Sequence, residues 1–203
     1  GSSLFWLKCM HMPGMVPLAS SPHTSDEDLT SLFSEDAWAL EEGLEEGIPD
    51  GEVLHATVPQ DRWCVSYQDF EDLRRLVRQA VRKGLMVPTG ADPFDPHDAD
   101  IGPIIGTVNE QVIKPTTRRA GRMSWALMRH REGLPCDLFI THCWLEGIYE
   151  LTSKVLHSWP FGARGAYCCV LSNPQCLDIG KLIGNPRTSP FAQALQSSTW
   201  MLV

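Results

Sequence analysis

At 203 residues and 43% hydrophobic content, the chain can hold one ordinary α/β domain with a sizeable core and an extension. The net charge of −8 belongs to the first sixty residues, where Lys8 faces eleven acidic side chains; residues 61–203 carry sixteen basic and fourteen acidic groups. A near-neutral domain lacks the basic face that a nucleic-acid backbone demands, and no apolar run is long enough for a signal peptide or a membrane span, so neither partner is expected.

Gly1 opens the chain without an initiator methionine, as expected of a processed, tagged or cut-out piece. Residues 1–60 read as an acidic, flexible arm. Leu29, Leu32, Phe33, Ala37, Trp38 and Leu40 have roughly helical spacing there, but Gly43, Gly47 and Pro49 interrupt the pattern before a stable helix length is reached. The arm is either a solvated leader or an acidic segment that docks its aromatic residues on a partner. The seven cysteines are odd in number and include no C-x-x-C pair, which fits reduced thiols in a cytoplasmic setting. Adjacent Cys168 and Cys169 would point to opposite faces of a strand, so no metal site is expected.

Residues 61–134 read as a helical extension with irregular loops. Ser66 followed by Asp69 makes a capping-box-like start, Phe70, Leu73, Leu76, Val77, Ala80 and Val81 form one apolar stripe, and Gly84 closes the helix. The cations Arg74, Arg75, Arg78, Arg82 and Lys83 suit the helix dipole and a solvated face, or alternatively a phosphate or lipid surface. Asp92, Asp95, Asp98 and Asp100 crowd one loop, but an EF-hand counted from Asp92 would place His97 and Pro103 where Gly and Glu are required. That loop is expected to be an acidic surface turn. The piece from Val108 onward predicts a short extended segment, then a helix around Met123 to His130.

Residues 135–203 alternate strand, helix, strand, helix, strand. Strands are expected near 136–142, 166–172 and 199–203. Between them, Ile148, Leu151, Val155, Leu156 and Trp159 share one helical face, and Ser189 with Pro190 opens a second helix. Such alternation implies a parallel sheet with right-handed crossovers, which binds ligands beyond the carboxyl ends of its strands. The first strand end supplies Thr141, His142, Trp144 and Glu146; the second supplies Ser172 and Asn173, with Asp178 beyond Pro174. An indole for stacking, an imidazole and a carboxylate for protons or ribose hydroxyls, and an amide suit a nucleotide, with His142, Trp144, Glu146, Ser172 and Asn173 as its binding residues. Each has a structural alternative: Trp144 as packing, His142 as a hydrogen-bonded strand end, Glu146 as a helix N-terminal residue. No Gly-rich phosphate loop is present in this unit.

The run CDLFITHCW, helix, AYCCVLSNPQCLDI, loop, SPFAQALQSS and TWMLV resembles the first three strands and two helices of a TIR (Toll/interleukin receptor) domain, particularly the TIR-like domains of protists and algae. Asp137, Phe139, Ile140 and Thr141 match the opening strand of that family. The resemblance implies a partial flavodoxin-like α/β sheet of strand order 2-1-3, with Asn173 to Thr188 as the family's interaction loop. It also implies cytoplasmic signalling through NAD as substrate, cleaved at the nicotinamide–ribose bond by a glutamate on the helix after the third strand. No residue up to Val203 matches that glutamate, so no catalytic residue is carried over and NAD nucleosidase activity is expected only of a longer form. A non-catalytic module that associates homotypically through the same fold is the alternative, and an unrelated flavodoxin-like or glycosyltransferase-like unit is a third.

Overall fold

The computed structural model describes residues 50–203; the expected helices of the acidic arm around Leu29 to Leu40 lie outside the described residues. The elements run α1 (Gly51–Thr57), α2 (Tyr67–Arg82), α3 (Ile105–Val108), a π-helical turn (Asn109–Ile113), α4 (Lys114–Arg119), α5 (Trp125–Arg129), β1 (Leu138–Ile140), α6 (Ile148–His157), β2 (Ala166–Cys168), α7 (Cys169–Ser172), α8 (Ile179–Ile183), α9 (Pro190–Ser197) and β3 (Trp200–Leu202). The three strands form one parallel sheet in the order β2-β1-β3, and Ile140 stands opposite Cys168 on one side and Leu202 on the other.

Alternation along the strands divides the core. Leu138, Ile140, Ala166 and Cys168 join the larger apolar cluster, together with the α2 stripe and Val155 of α6. Phe139 and Tyr167 join the other, stacked at 5.5 Å and closed over by Ala194 and Phe191 of α9. The sheet is therefore covered on both faces, as parallel sheets require. The expected stripe from Phe70 to Val81 is buried throughout, and the Ser66–Asp69 capping box forms at the start of α2. α1, by contrast, falls within the stretch read as a flexible arm; Asp50 caps it, and the Gly51 N–H donates to the Gly121 carbonyl at 2.8 Å.

Packing runs without a break across residue 135. Val65 makes an antiparallel bridge with Ala166 and so covers the outer edge of β2. On the opposite edge, Trp200 and Met201 are exposed.

Three local expectations are corrected. The stretch from Val108 to Lys114 is helical, not extended, because Ile105, Val108, Val112 and Ile113 recur at helical spacing and are all buried. The wider π-turn sits just where the Pro115 ring would press on the carbonyl four residues earlier. The second strand ends at Cys168, not 172: the Ser172 hydroxyl accepts the Cys168 N–H at 3.0 Å and draws the chain into the helical turn α7. In the acidic loop, Asp92 is not at the surface. It is buried, with its carboxylate accepting the Ile104 N–H at 2.9 Å, while Asp98 accepts from the N–H groups of Asp100, Ile101 and Gly102.

Candidate functional site

The carboxyl ends of β1 and β2 lie side by side, and the loop that leaves β1 carries the polar cluster. Thr141 prolongs the ladder by one bond, its N–H donating to the Leu202 carbonyl at 2.9 Å. The loop is then laced to the first turn of α3 and to the segment that leads into it. Gly106 N–H donates to the Trp144 carbonyl at 3.1 Å, Ile105 N–H to that of Glu146 at 2.9 Å, and Ile148 N–H to that of Pro103 at 2.8 Å. Gly147, ahead of α6, is required by space and not by its φ of −69°: a Cβ there would stand 2.2 Å from the Ile101 carbonyl oxygen. These contacts hold His142 and Trp144 in place.

His142 and Trp144 meet edge to face, with ring centroids 5.6 Å apart, and Trp144 packs its inner part on the main core. On its other side the His142 ring reaches Cys169: Nε2 and Sγ are 3.0 Å apart. Nδ1 of the same ring is buried and makes no hydrogen bond of good geometry. Burial lowers the His142 pKa, against the Cys143 carbonyl and the Glu146 charge, which raise it. Burial also pushes the Cys169 thiol up to about 12. The resting pair is thus a neutral thiol and a neutral imidazole.

The other expected site residues are placed differently. The Glu146 carboxylate accepts from Lys154 Nζ at 2.8 Å, and Glu146 and Glu150 together raise the Lys154 pKa. Ser172 is fully buried on Cys168 N–H. Asn173 is buried and accepts the Tyr167 hydroxyl proton at 2.7 Å, while Gln175 Nε2 bridges the carbonyls of Cys169 and Asn173. Ser172 and Asn173 therefore shape the turn that presents Cys169, with their own polar atoms committed inside the fold. Asp178 is exposed. Asp137 sits at the opposite, amino end of β1, where Arg164 Nε donates to its carboxylate at 3.0 Å.

Cys169 is the site residue that sequence reasoning passed over as an apolar thiol. A signal existed, because parallel pairing sets the residues just past Ile140 beside those just past Cys168, and a histidine and a cysteine occupy those places. Among the described residues no group of three His, Cys, Asp or Glu side chains is arranged to hold a metal, and no helix is long and apolar enough to cross a membrane. No protein-family model, curated protein or solved structure matches the chain at a significant level.

Proposed function

We propose that this chain carries a TIR-like nucleotide-binding unit, with NAD as the ligand class, in a flavodoxin-like arrangement. The observation that carries the reading is the parallel order β2-β1-β3 with His142 and Trp144 at the carboxyl end of the central strand. In open α/β sheets, ligands bind beyond that end, where successive crossovers diverge from one strand. Trp144 offers ring area for a base or nicotinamide, His142 stands next to it for a ribose hydroxyl, and Glu146, near enough to His142 for its charge to act on the ring, is the second candidate. Ser172 and Asn173 support the pocket wall from behind. No residue of this chain is assigned the cleavage step.

Titrating the chain with NAD while following tryptophan fluorescence, with nicotinamide release measured in parallel, tests the reading. Saturable quenching that is lost in Trp144→Ala is expected. Absence of binding in the unsubstituted chain, and of nicotinamide release from a form extended past Val203, overturns it.

A second reading is a non-catalytic association module of the same fold. The exposed Trp200 and Met201 on the open side of β3, with Leu195 exposed nearby in sequence, favour it. Concentration-dependent self-association in sedimentation, without NAD binding, is its expected signature.

A further inference from the structure

We propose that Cys169 and His142 form a nucleophilic thiol–imidazole pair, a covalent capture site for a soft carbon electrophile of the α,β-unsaturated carbonyl class. Their contact, 3.0 Å between Sγ and Nε2, places the imidazole within reach of the thiol proton. The two residues come from different strand ends and are fixed from different directions, His142 by the laced loop and Cys169 by the turn that Ser172 and Gln175 close. The arrangement is therefore not a chance meeting of two mobile side chains. Both residues are half-buried, which keeps the pair largely out of water.

The remaining described cysteines are different. Cys64 and Cys136 are buried, with their thiols facing main-chain carbonyls, Cys168 is buried in the main core, and Cys176 faces the Lys114 carbonyl and the Thr117 hydroxyl. Cys143 is exposed. Only Cys169 among them has an imidazole against its sulfur.

The capture step balances within the pair and the electrophile. As Sγ bonds to the β-carbon, the carbon–carbon π bond opens and the thiol proton passes to His142 Nε2. The imidazolium then returns a proton to the α-carbon, leaving a thioether and a neutral imidazole. The Trp144 ring beside the imidazole gives a planar conjugated electrophile an apolar wall. The charged or titratable groups around the pair are Glu146, whose charge favours the imidazolium, and Tyr167 and Cys168, which lie close enough to Cys169 to feel its charge.

The test is N-ethylmaleimide labelling of the folded chain, read cysteine by cysteine by mass spectrometry, and it does not depend on nucleotide binding. A thiol that is deprotonated by a neutral imidazole reacts at a rate nearly flat above about pH 7, whereas an exposed free thiol gains about tenfold per pH unit below its own pKa. The expected result is a flat profile for Cys169 beside a rising one for N-acetylcysteine added to the same sample as reference thiol. In His142→Gln, Cys169 labelling should fall at least about tenfold, in line with loss of a general base, with the fully buried Cys64 and Cys168 staying unlabelled as the control for folding. Labelling of Cys169 only in denaturant, a profile that rises in parallel with the reference thiol, or an unchanged rate in His142→Gln overturns the proposal.

Discussion

Arg129 Nε donates to Asp69 Oδ1 at 2.8 Å and thereby ties the start of α2 to α5, sixty residues further along the chain. The same carboxylate meets the His130 ring at 2.6 Å and caps α2 through the Ser66 N–H at 2.7 Å.

Asp69 is 1% exposed, so removing it takes from Arg129 one of its two carboxylate partners, leaving Asp72 at 2.7 Å, and opens the cap of α2 at the same time. Asp69→Ala is expected to cost about 2 to 3 kcal/mol, the scale of a lost cap together with lost charge-assisted hydrogen bonds. Burial would raise the Asp69 pKa, but the bonds from His130, Ser66 and Arg129 outweigh it and hold the carboxyl well below its usual range. A depressed carboxylate stabilises the fold above its unfolded pKa of 3.8, and that stability is lost as pH falls below it. Urea denaturation from pH 5 to 2 should show a steep loss in the unsubstituted chain and a flatter one in Asp69→Asn.

His55 controls a higher pH window. Its Nε2 accepts the Ser124 N–H at 2.9 Å, its ring meets Trp63 edge-on at 4.2 Å, and burial lowers its pKa from 6.5 to about 4. The folded state therefore holds the neutral ring, and stability fully present above pH 6.5 is lost as pH falls toward 4. The loss amounts to about 3 kcal/mol for a shift of this size. Thermal melts across that interval should fall in midpoint, and His55→Gln should remove most of the dependence between these limits without touching the steeper loss near Asp69.

Gly147→Ala should be costly, and by more than the poor standing of alanine at the N-cap position that Gly147 fills. The added methyl meets backbone, the Ile101 carbonyl, which cannot swing aside as a side chain would. A cost of about 1 to 3 kcal/mol is expected from overpacking. Because Ile101 and Gly147 flank the loop that holds His142, amide NMR shifts should change at His142 and Trp144 as well as at the substitution. Shifts confined to residues 146–149 would show that the loop is not held from this side.

The capped helices were legible in the sequence because each announces its ends locally: Ser66 with Asp69 for α2, Ser189 with Pro190 for α9. The alternation of strands and helices was legible for the same reason. What was hidden is what depends on distance along the chain. Pro115 reads as a breaker, yet buried Ile105, Val108, Val112 and Ile113 impose a helical path that runs through it. Ser172 belongs to an apolar run that reads as strand, and only its bond to the Cys168 N–H turns the chain early. Of the expected pocket residues, His142 and Trp144 meet while Ser172 and Asn173 turn inward, since their role is settled by Cys168 and Tyr167. Cys169 needed the strand register, which no short window contains.

The bridge between Val65 and Ala166 also sets a timetable for biosynthesis. At ordinary rates of translation the ribosome takes roughly 5 to 20 seconds to travel from one residue to the other. Over that interval Trp63, Cys64 and Val65, all fully buried in the finished fold, have no sheet to enter. The nascent chain thus passes through a stage at which this apolar tripeptide waits without its strand partner until β2 emerges.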